Sequence, residues 1–301
     1  MTMNNIDDVL QYYQISPSAL TDAQRSTFDD LGYVVLPPDL EHLSKHGTSL
    51  EELRDVTDEL SRQEGVKGGW EGMEFVIERE PGKLADPGSA RLGNLINKHR
   101  CFRALISMPE VLLGAQHLLG PDFRVSAVDM REPLKGGGNQ QIHIDWVPRM
   151  DEAAPFECMF CFFVIDDMTL ENAPLRIIPK SHRILDYPQE HIDIAAKHKD
   201  EVLVEAKAGS RVLLNSQVWH GGSENLSGRR RRTFFTEYRL RSIPQLLNQQ
   251  RYISSDIIAD LSAPEKWLLS VGEDFPLESS RHCGPGDAYR RRYGTKSAHE
   301  M

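Results

Sequence analysis

The stretch Gln140-Gln141-Ile142-His143-Ile144-Asp145-Trp146 places an imidazole and a carboxylate two residues apart in a segment that reads as extended. In a strand, residues i and i+2 point to the same face, so His143 and Asp145 can reach one ion together. That is half of a metal site. The other half needs a second histidine, and Gln217-Val218-Trp219-His220-Gly221-Gly222 supplies one, with Arg231 following it on the C-terminal side.

Around these two segments the periodicity is that of strands. Residues 123–130, 158–165, 175–178, 202–204, 211–214 and 233–240 alternate or run apolar and are separated by Gly, Pro and Asn turns. Short strands without helical crossovers predict an antiparallel sandwich or barrel and argue against a doubly wound sheet. Upstream the pattern is helical. Thr21 and Gln24 form a capping box, Gly32 stops that helix, and residues 33–36 read as a strand closed by Pro37 and Pro38. Residues 49–64 fit an amphipathic helix, and two further helical segments are expected, at 95–106 and from Ser107, where Ser107 and Glu110 suggest a second capping box before Gly120. Residues 5–20 carry no clear pattern, and 65–92 are rich in Gly and Pro around a candidate strand at 74–78. Short helices are expected at 255–261 and 264–271, followed by a glycine-rich basic tail at 281–293.

Composition narrows the class. The 301 residues are 40% hydrophobic and 27% charged, which suits an ordinary globular protein, and no apolar run approaches the roughly 20 residues a membrane-spanning helix needs. The acidic N-terminal residues lack the basic and apolar regions of a secretory signal, so a cytoplasmic location and no membrane partner are expected. A net charge of -10 argues against a nucleic-acid partner. Four scattered cysteines do not make a disulfide framework. Cys158 and Cys161 lie in a strand, where i and i+3 face opposite sides, and read as two core residues.

The chemistry follows from donor types. Two imidazoles and one carboxylate on one face of a ferrous ion leave adjacent positions for a chelating co-substrate and for dioxygen, which is the logic of the facial triad. His143, Asp145 and His220 match it by type. A dicarboxylate such as 2-oxoglutarate chelates through its keto-acid end and leaves a second carboxylate for a planar guanidinium. In an extended run, Arg229, Arg231 and Thr233 share one face, and Arg230 and Arg232 the other, so one face of the basic cluster can serve a pocket.

With these residues in order, the chain resembles the phytanoyl-CoA dioxygenase family of non-haem Fe(II), 2-oxoglutarate-dependent oxygenases. The likeness runs over roughly residues 20–240, through Leu20-Thr21-Asp22-Ala23-Gln24, Leu31-Gly32-Tyr33-Val34-Val35-Leu36, Gln141-Ile142-His143-Ile144-Asp145-Trp146, Pro179-Lys180-Ser181-His182 and Trp219-His220-Gly221-Gly222-Ser223-Glu224-Asn225 to the arginine run. The resemblance implies a mainly β protein with a double-stranded β-helix core, that is, a cupin-like jelly roll, flanked by N-terminal helices and a C-terminal helical extension. One oxygenase domain over 1–301 is expected, with a helical flank and the first strands at 20–120, the jelly-roll core at 121–242 and the C-terminal extension at 243–301. It implies His143, Asp145 and His220 on Fe(II), with His182 held in reserve, and Arg231 on the distal carboxylate of 2-oxoglutarate, with Arg229 as the alternative. Gln141, Thr233 and Ser223 are candidate co-substrate contacts. Trp146, Met130, Phe160 and Phe162 are candidate walls for a small-molecule substrate.

One departure stands out: the lysine that the family carries before a proline is Glu132 before Pro133 here. Related halogenases replace the carboxylate ligand with a small residue, whereas Asp145 is retained, so hydroxylation with O2, releasing succinate and CO2, is the expected reaction. Desaturation, ring closure and endoperoxide formation share its first step. Two rival readings use the same features: a cupin-type metal enzyme that is not an oxygenase, and a non-catalytic jelly roll that binds a small ligand. Monomer and homodimer are both compatible with the sequence.

Overall fold

The computed structural model describes residues 3–64 and 88–277. The expected strand at 74–78 and the basic tail lie outside the described residues.

Asn5 accepts a hydrogen bond from the Asp8 amide and so opens α1 (Ile6–Tyr12), a helix that the residue pattern did not reveal. Thr21 and Gln24 form the expected capping box at α2 (Asp22–Leu31). Gly32, at φ 81°, ends that helix in the left-handed region, where a Cβ would also meet Val218 at 2.3 Å. The chain then enters β1 (Tyr33–Leu36) and passes through α3 (Leu40–Lys45) and α4 (Leu50–Glu64).

After β2 (Ser89–Leu92), the segment expected as one helix forms two 3-10 pieces, Leu95–Asn97 and Arg100–Ile106. The second buries Cys101, Phe102, Ala104, Leu105 and Ile106, which lie on more than one face, so tertiary packing rather than amphipathicity sets its form. Ser107 does not cap α5 (Pro109–Leu119). A proline at the first helical position drives the preceding residue extended, which makes Met108 the N-cap, and the Ser107 hydroxyl instead meets His46 at 3.2 Å.

The remaining strands are β3 (Phe123–Pro133), β4 (Cys158–Val164), β5 (Leu175–Ile178), β6 (Val202–Val204), β7 (Arg211–Asn215), β8 (Trp219–Gly222) and β9 (Thr233–Leu240). They make two antiparallel sheets, a larger one in the order β1-β7-β4-β9-β3-β2 and a smaller one in the order β6-β5-β8. This is the jelly-roll core, with helices on its outer side. Alternation divides the larger sheet cleanly. Met159, Cys161, Phe163, Leu213, Phe234 and Tyr238 join the helix-side core, while Cys158, Phe160, Val164, Val212, Leu214 and Phe235 face the smaller sheet. The two cysteines therefore point to opposite faces, are buried and are free of disulfides.

β3 departs from simple alternation. Its register with β9 shifts between Val125 and Ala127, so one extra residue turns over the face of everything that follows. Before the bulge, Phe123 and Val125 face the helices; after it, Val128 and Met130 do, and Ala127 and Arg131 turn toward the space between the sheets. The bulge is pinned from the far end of the chain. The Gln245 amide nitrogen donates to the Val125 carbonyl at 2.7 Å, the Leu246 amide to the Ser126 hydroxyl at 2.6 Å, and the Leu247 amide and Gln249 side chain to the Ser126 carbonyl. Beyond these residues come α6 (Gln249–Tyr252), α7 (Ser255–Asp260) and α8 (Ala263–Leu269), whose Leu268 and Leu269 are buried in the helix-side core.

Candidate metal centre

The His-x-Asp segment is not a strand. His143 makes an isolated antiparallel bridge to His220 at the start of β8, with the His143 amide donating to the His220 carbonyl at 2.8 Å and the reverse bond at 3.0 Å. Asp145 is anchored by its own amide, which donates to Ser216 at 3.0 Å. Backbone bonds thus bring the three ligands together from two distant stretches.

The ligand atoms of His143, Asp145 and His220 all lie within 4.8 Å of one another. His143 Nε2 is 3.6 Å from one Asp145 oxygen, and His220 Nε2 is 3.2 Å from the other. Each imidazole is oriented by the main chain: His143 Nδ1 is 2.8 Å from the Gln141 carbonyl, and His220 Nδ1 is 2.9 Å from the Val218 carbonyl. A carbonyl only accepts, so both Nδ1 atoms carry a proton, and the Nε2 atoms, which face the carboxylate, are the positions left to bind a metal once they are free of protons. Burial pushes the Asp145 carboxyl up, but the charge of His220 and hydrogen bonds from both imidazoles outweigh it and hold the carboxyl well below the usual range. Burial pushes His220 down, and the Asp145 charge and hydrogen bond more than reverse it. The carboxylate is therefore ionised at neutral pH, and a metal must displace a proton that favours His220. Two neutral nitrogens and one carboxylate oxygen converging from one side form a facial triad, the donor set that suits Fe(II).

The triad opens into a cavity of about 250 Å3. Arg231 lines it and is 4% exposed, and among the described residues it has no carboxylate partner. Among the described residues its Nε has no hydrogen-bond partner, and its Nη2 reaches the Met168 sulfur at 3.6 Å. Burial, with the neighbouring Arg131 charge, pushes this guanidinium down to about 9, so it stays charged at neutral pH without an anion beside it. The other arginines of the cluster are satisfied elsewhere. Arg229 pairs with Glu171 in solvent, Arg230 with Glu132 and Asp58, and Arg232 with Asp166 at 2.7 Å and Asp58 at 2.7 Å.

Several sequence expectations are corrected here. Gln141 is exposed and serves through its carbonyl, while Gln140 lines the cavity, because the segment is irregular and the i, i+2 rule does not apply to it. Ser223 donates to the Pro174 carbonyl at 2.8 Å and does not line the cavity. Met130 faces the helix-side core because of the bulge. Trp146 lies beneath the wall, with its indole N–H donating to Glu157 at 2.6 Å and its ring under the Arg239 guanidinium. Glu132 points away and binds Arg230, so the cation that β3 turns into the cavity is Arg131. His182 bonds to the Asp29 carbonyl at 3.2 Å, outside the triad, and burial pushes it down to about 4. Phe160, Phe162 and Thr233 do line the cavity. Sequence reasoning missed Arg91, Phe235, Glu237 and Arg239. The last three were within reach, since they alternate with Thr233 along β9.

Opposite Phe235 in the register of β3 with β9, Asp129 accepts a hydrogen bond from the Asn94 amide at 3.0 Å. Burial raises its carboxyl to about 7, with Glu237 adding to the shift and Asn94, Arg91 and Lys98 opposing it. In the unfolded chain such a group titrates near 3.9. Between about pH 4 and pH 7 the folded state holds a proton that the unfolded state has lost, so stability falls as pH rises through that window, by up to about 4 kcal/mol in total. Asp129→Asn is expected to remove this slope in urea melts from pH 4 to 8. A difference between wild type and variant that stays constant across that range would refute the assignment.

The phytanoyl-CoA dioxygenase (PhyH) family model matches residues 28–233. Among curated proteins, an uncharacterized protein of Mycobacterium tuberculosis is 25% identical over 134 residues, 44% of this chain and 48% of its own length. The ectoine dioxygenase of Bordetella parapertussis is 24% identical over 206 residues, 59% of this chain and 66% of its own. The chain thus spans about half to two thirds of these relatives. Among solved structures, iron-bound EctD from S. alaskensis aligns with a TM-score of 0.56 at 19% identity, covering 77% of this chain and 80% of that one. HygX from Streptomyces hygroscopicus, with nickel and 2-oxoglutarate bound, aligns at 0.54 and 15% identity over 73% and 87%. SnoK, a non-heme alpha ketoglutarate dependent carbocyclase from nogalamycin biosynthesis, aligns at 0.53 and 17% identity over 74% and 85%. These likenesses agree with the jelly-roll core, and the family match, which covers more than half of the chain and encloses all three triad residues, makes it a member of the phytanoyl-CoA dioxygenase family.

Proposed function

We propose that this protein is an Fe(II)- and 2-oxoglutarate-dependent dioxygenase that hydroxylates an unactivated C–H bond of a small organic molecule, with succinate and CO2 as co-products. The observation that carries this reading is Arg231: a buried guanidinium without a carboxylate partner among the described residues, in the same cavity as the triad. A buried unpaired charge is costly, and a ligand that brings a carboxylate offsets the cost.

His143, Asp145 and His220 would hold the iron from one side and leave the cavity side open for co-substrate and dioxygen. When bound, iron with 2-oxoglutarate and dioxygen would supply the oxidising power directed at the substrate C–H bond. Arg231 would bind the distal carboxylate with two parallel hydrogen bonds, and the buried Thr233 hydroxyl, which has no hydrogen-bond partner among the described residues, would add a third. Arg131 adds positive charge to the same end. Phe160, Phe162, Phe235, Leu175 and Leu246 exclude water from the reacting carbon. Asp145 keeps the carboxylate position that a halide would need, which favours hydroxylation. We read residues 1–301 as one oxygenase domain, an assignment supported by the burial of α8 in the helix-side core.

Anaerobic titration of the full chain with Fe(II) and then 2-oxoglutarate tests the proposal. A visible charge-transfer band that saturates with one equivalent of each is expected. Folded, iron-loaded protein that shows no band at millimolar 2-oxoglutarate would rule the reading out.

A further inference from the structure

The wall formed by β9 carries a second buried group waiting for a partner. Glu237 lines the cavity, is 1% exposed, and stands opposite Phe160 of β4 and Ala127 of β3. One of its oxygens is fully used: Oε1 accepts from Arg239 Nε at 2.7 Å and Nη2 at 2.6 Å, and from the Cys158 thiol at 3.2 Å. The other, Oε2, is buried and has no hydrogen-bond partner among the described residues. A carboxylate oxygen left dry in this way costs stability unless something that enters the cavity donates to it.

Glu237 is also held in place. Arg239 donates through Nη1 to the Pro244 carbonyl at 3.0 Å and lies 4.4 Å over the Trp146 ring, whose N–H is in turn bonded to Glu157. Neither member of the Glu237–Arg239 pair can turn without breaking several contacts. Glu237 and Asp145 line the same cavity, so this carboxylate faces the space into which the triad opens.

The surroundings narrow the ligand. Phe160 and Phe162 stack with centroids 6.2 Å apart, Phe162 meets Phe235 at 6.4 Å, and Leu175, Leu246 and Ala127 complete an apolar lining. The charged residues of the lining are Arg91, Arg131, Arg231 and Arg239 against Asp145 and Glu237, an excess of positive charge that disfavours a cationic guest. We propose that Glu237 is a specificity-determining residue that accepts a hydrogen bond from a hydroxyl group of the substrate, and that the substrate is a neutral or anionic, ring-bearing molecule carrying that hydroxyl. This deepens the oxygenase reading and rests on it.

The test uses full-length protein loaded anaerobically with Fe(II) and 2-oxoglutarate. Calorimetry measures the affinity of 4-ethylphenol, of its methyl ether 4-ethylanisole, of 4-ethyltoluene and of the cation 4-ethylbenzylamine. The phenol is expected to bind about tenfold or more tightly than each of the others, the usual weight of a hydrogen bond to a charged acceptor. In Glu237→Gln the single side-chain oxygen is retained by Arg239, so the amide NH2 faces the cavity and the phenol-to-ether ratio is expected to fall to within about threefold. The variant matches glutamate in shape, so a purely steric preference would survive it. If the variant does not fold, the wild-type ratios decide. Equal affinities in the wild type, binding of none of the probes, tighter binding of the amine, or a ratio that persists in Glu237→Gln overturns the assignment. The chelate band is recorded on the same samples: its absence counts against the oxygenase reading, whereas a band without discrimination among the probes counts against Glu237 alone.

Discussion

His143→Ala is expected to abolish the visible Fe(II)–2-oxoglutarate band and to weaken iron binding by more than about a hundredfold, since even the outer partners of metal ligands contribute 10- to 100-fold. His143 is the cleaner of the two histidines to remove. Its side chain is 35% exposed, whereas that of His220 is 4% exposed and packed between the sheets. The bridge between the two residues is made by main-chain atoms and survives truncation. The variant should therefore melt within a few degrees of wild type while losing the band and the 2-oxoglutarate-dependent release of succinate. Retention of the band with wild-type iron affinity would remove His143 from the ligand set and, with it, the triad.

The second large effect is expected at Arg231, and it has two opposite signs. Arg231→Met keeps most of the aliphatic stem and deletes a charge that burial disfavours. Without 2-oxoglutarate the variant should be more stable than wild type, by roughly 1–3 kcal/mol, because a buried charge without a counter-ion is replaced by a group of similar volume. With 2-oxoglutarate the order should reverse. Losing the guanidinium to carboxylate pair in a dry site costs roughly 2–5 kcal/mol of binding, a factor from about 30 to several thousand in the concentration needed to form the chelate. Paired thermal melts with and without co-substrate check both halves. An unchanged 2-oxoglutarate requirement would move the carboxylate to Arg131, the other guanidinium that lines the cavity.

Much of this site could be read from residue order. His143, Asp145, His220 and Arg231 stand out as a set because each chemical role demands a particular side chain, and the family motifs place them in sequence. The strands from 123 to 240 were legible because alternation leaves a mark at every second residue. What could not be read depends on contacts between distant parts of the chain. Nothing local in the residues around Val125 and Ala127 announces a bulge, so the sequence points to Met130 at the pocket and gives no sign of Arg131 there. Ser107 looked like a helix cap until the pre-proline restriction on Met108 is considered. Trp146 follows the triad carboxylate, but the irregular path of that segment turns its ring beneath the wall.

The pinning of the β3 bulge changes what should count as the substrate-recognition unit. The face that Ala127 and Arg131 present is selected by hydrogen bonds from Gln245, Leu246, Leu247 and Gln249, which lie beyond the last strand of the jelly roll. A chimera that borrows β3 from a relative without the tail that reads its register would inherit the residues but not their facing. The smallest portable module for altering this pocket is therefore discontinuous, a strand together with the tail that sets its phase.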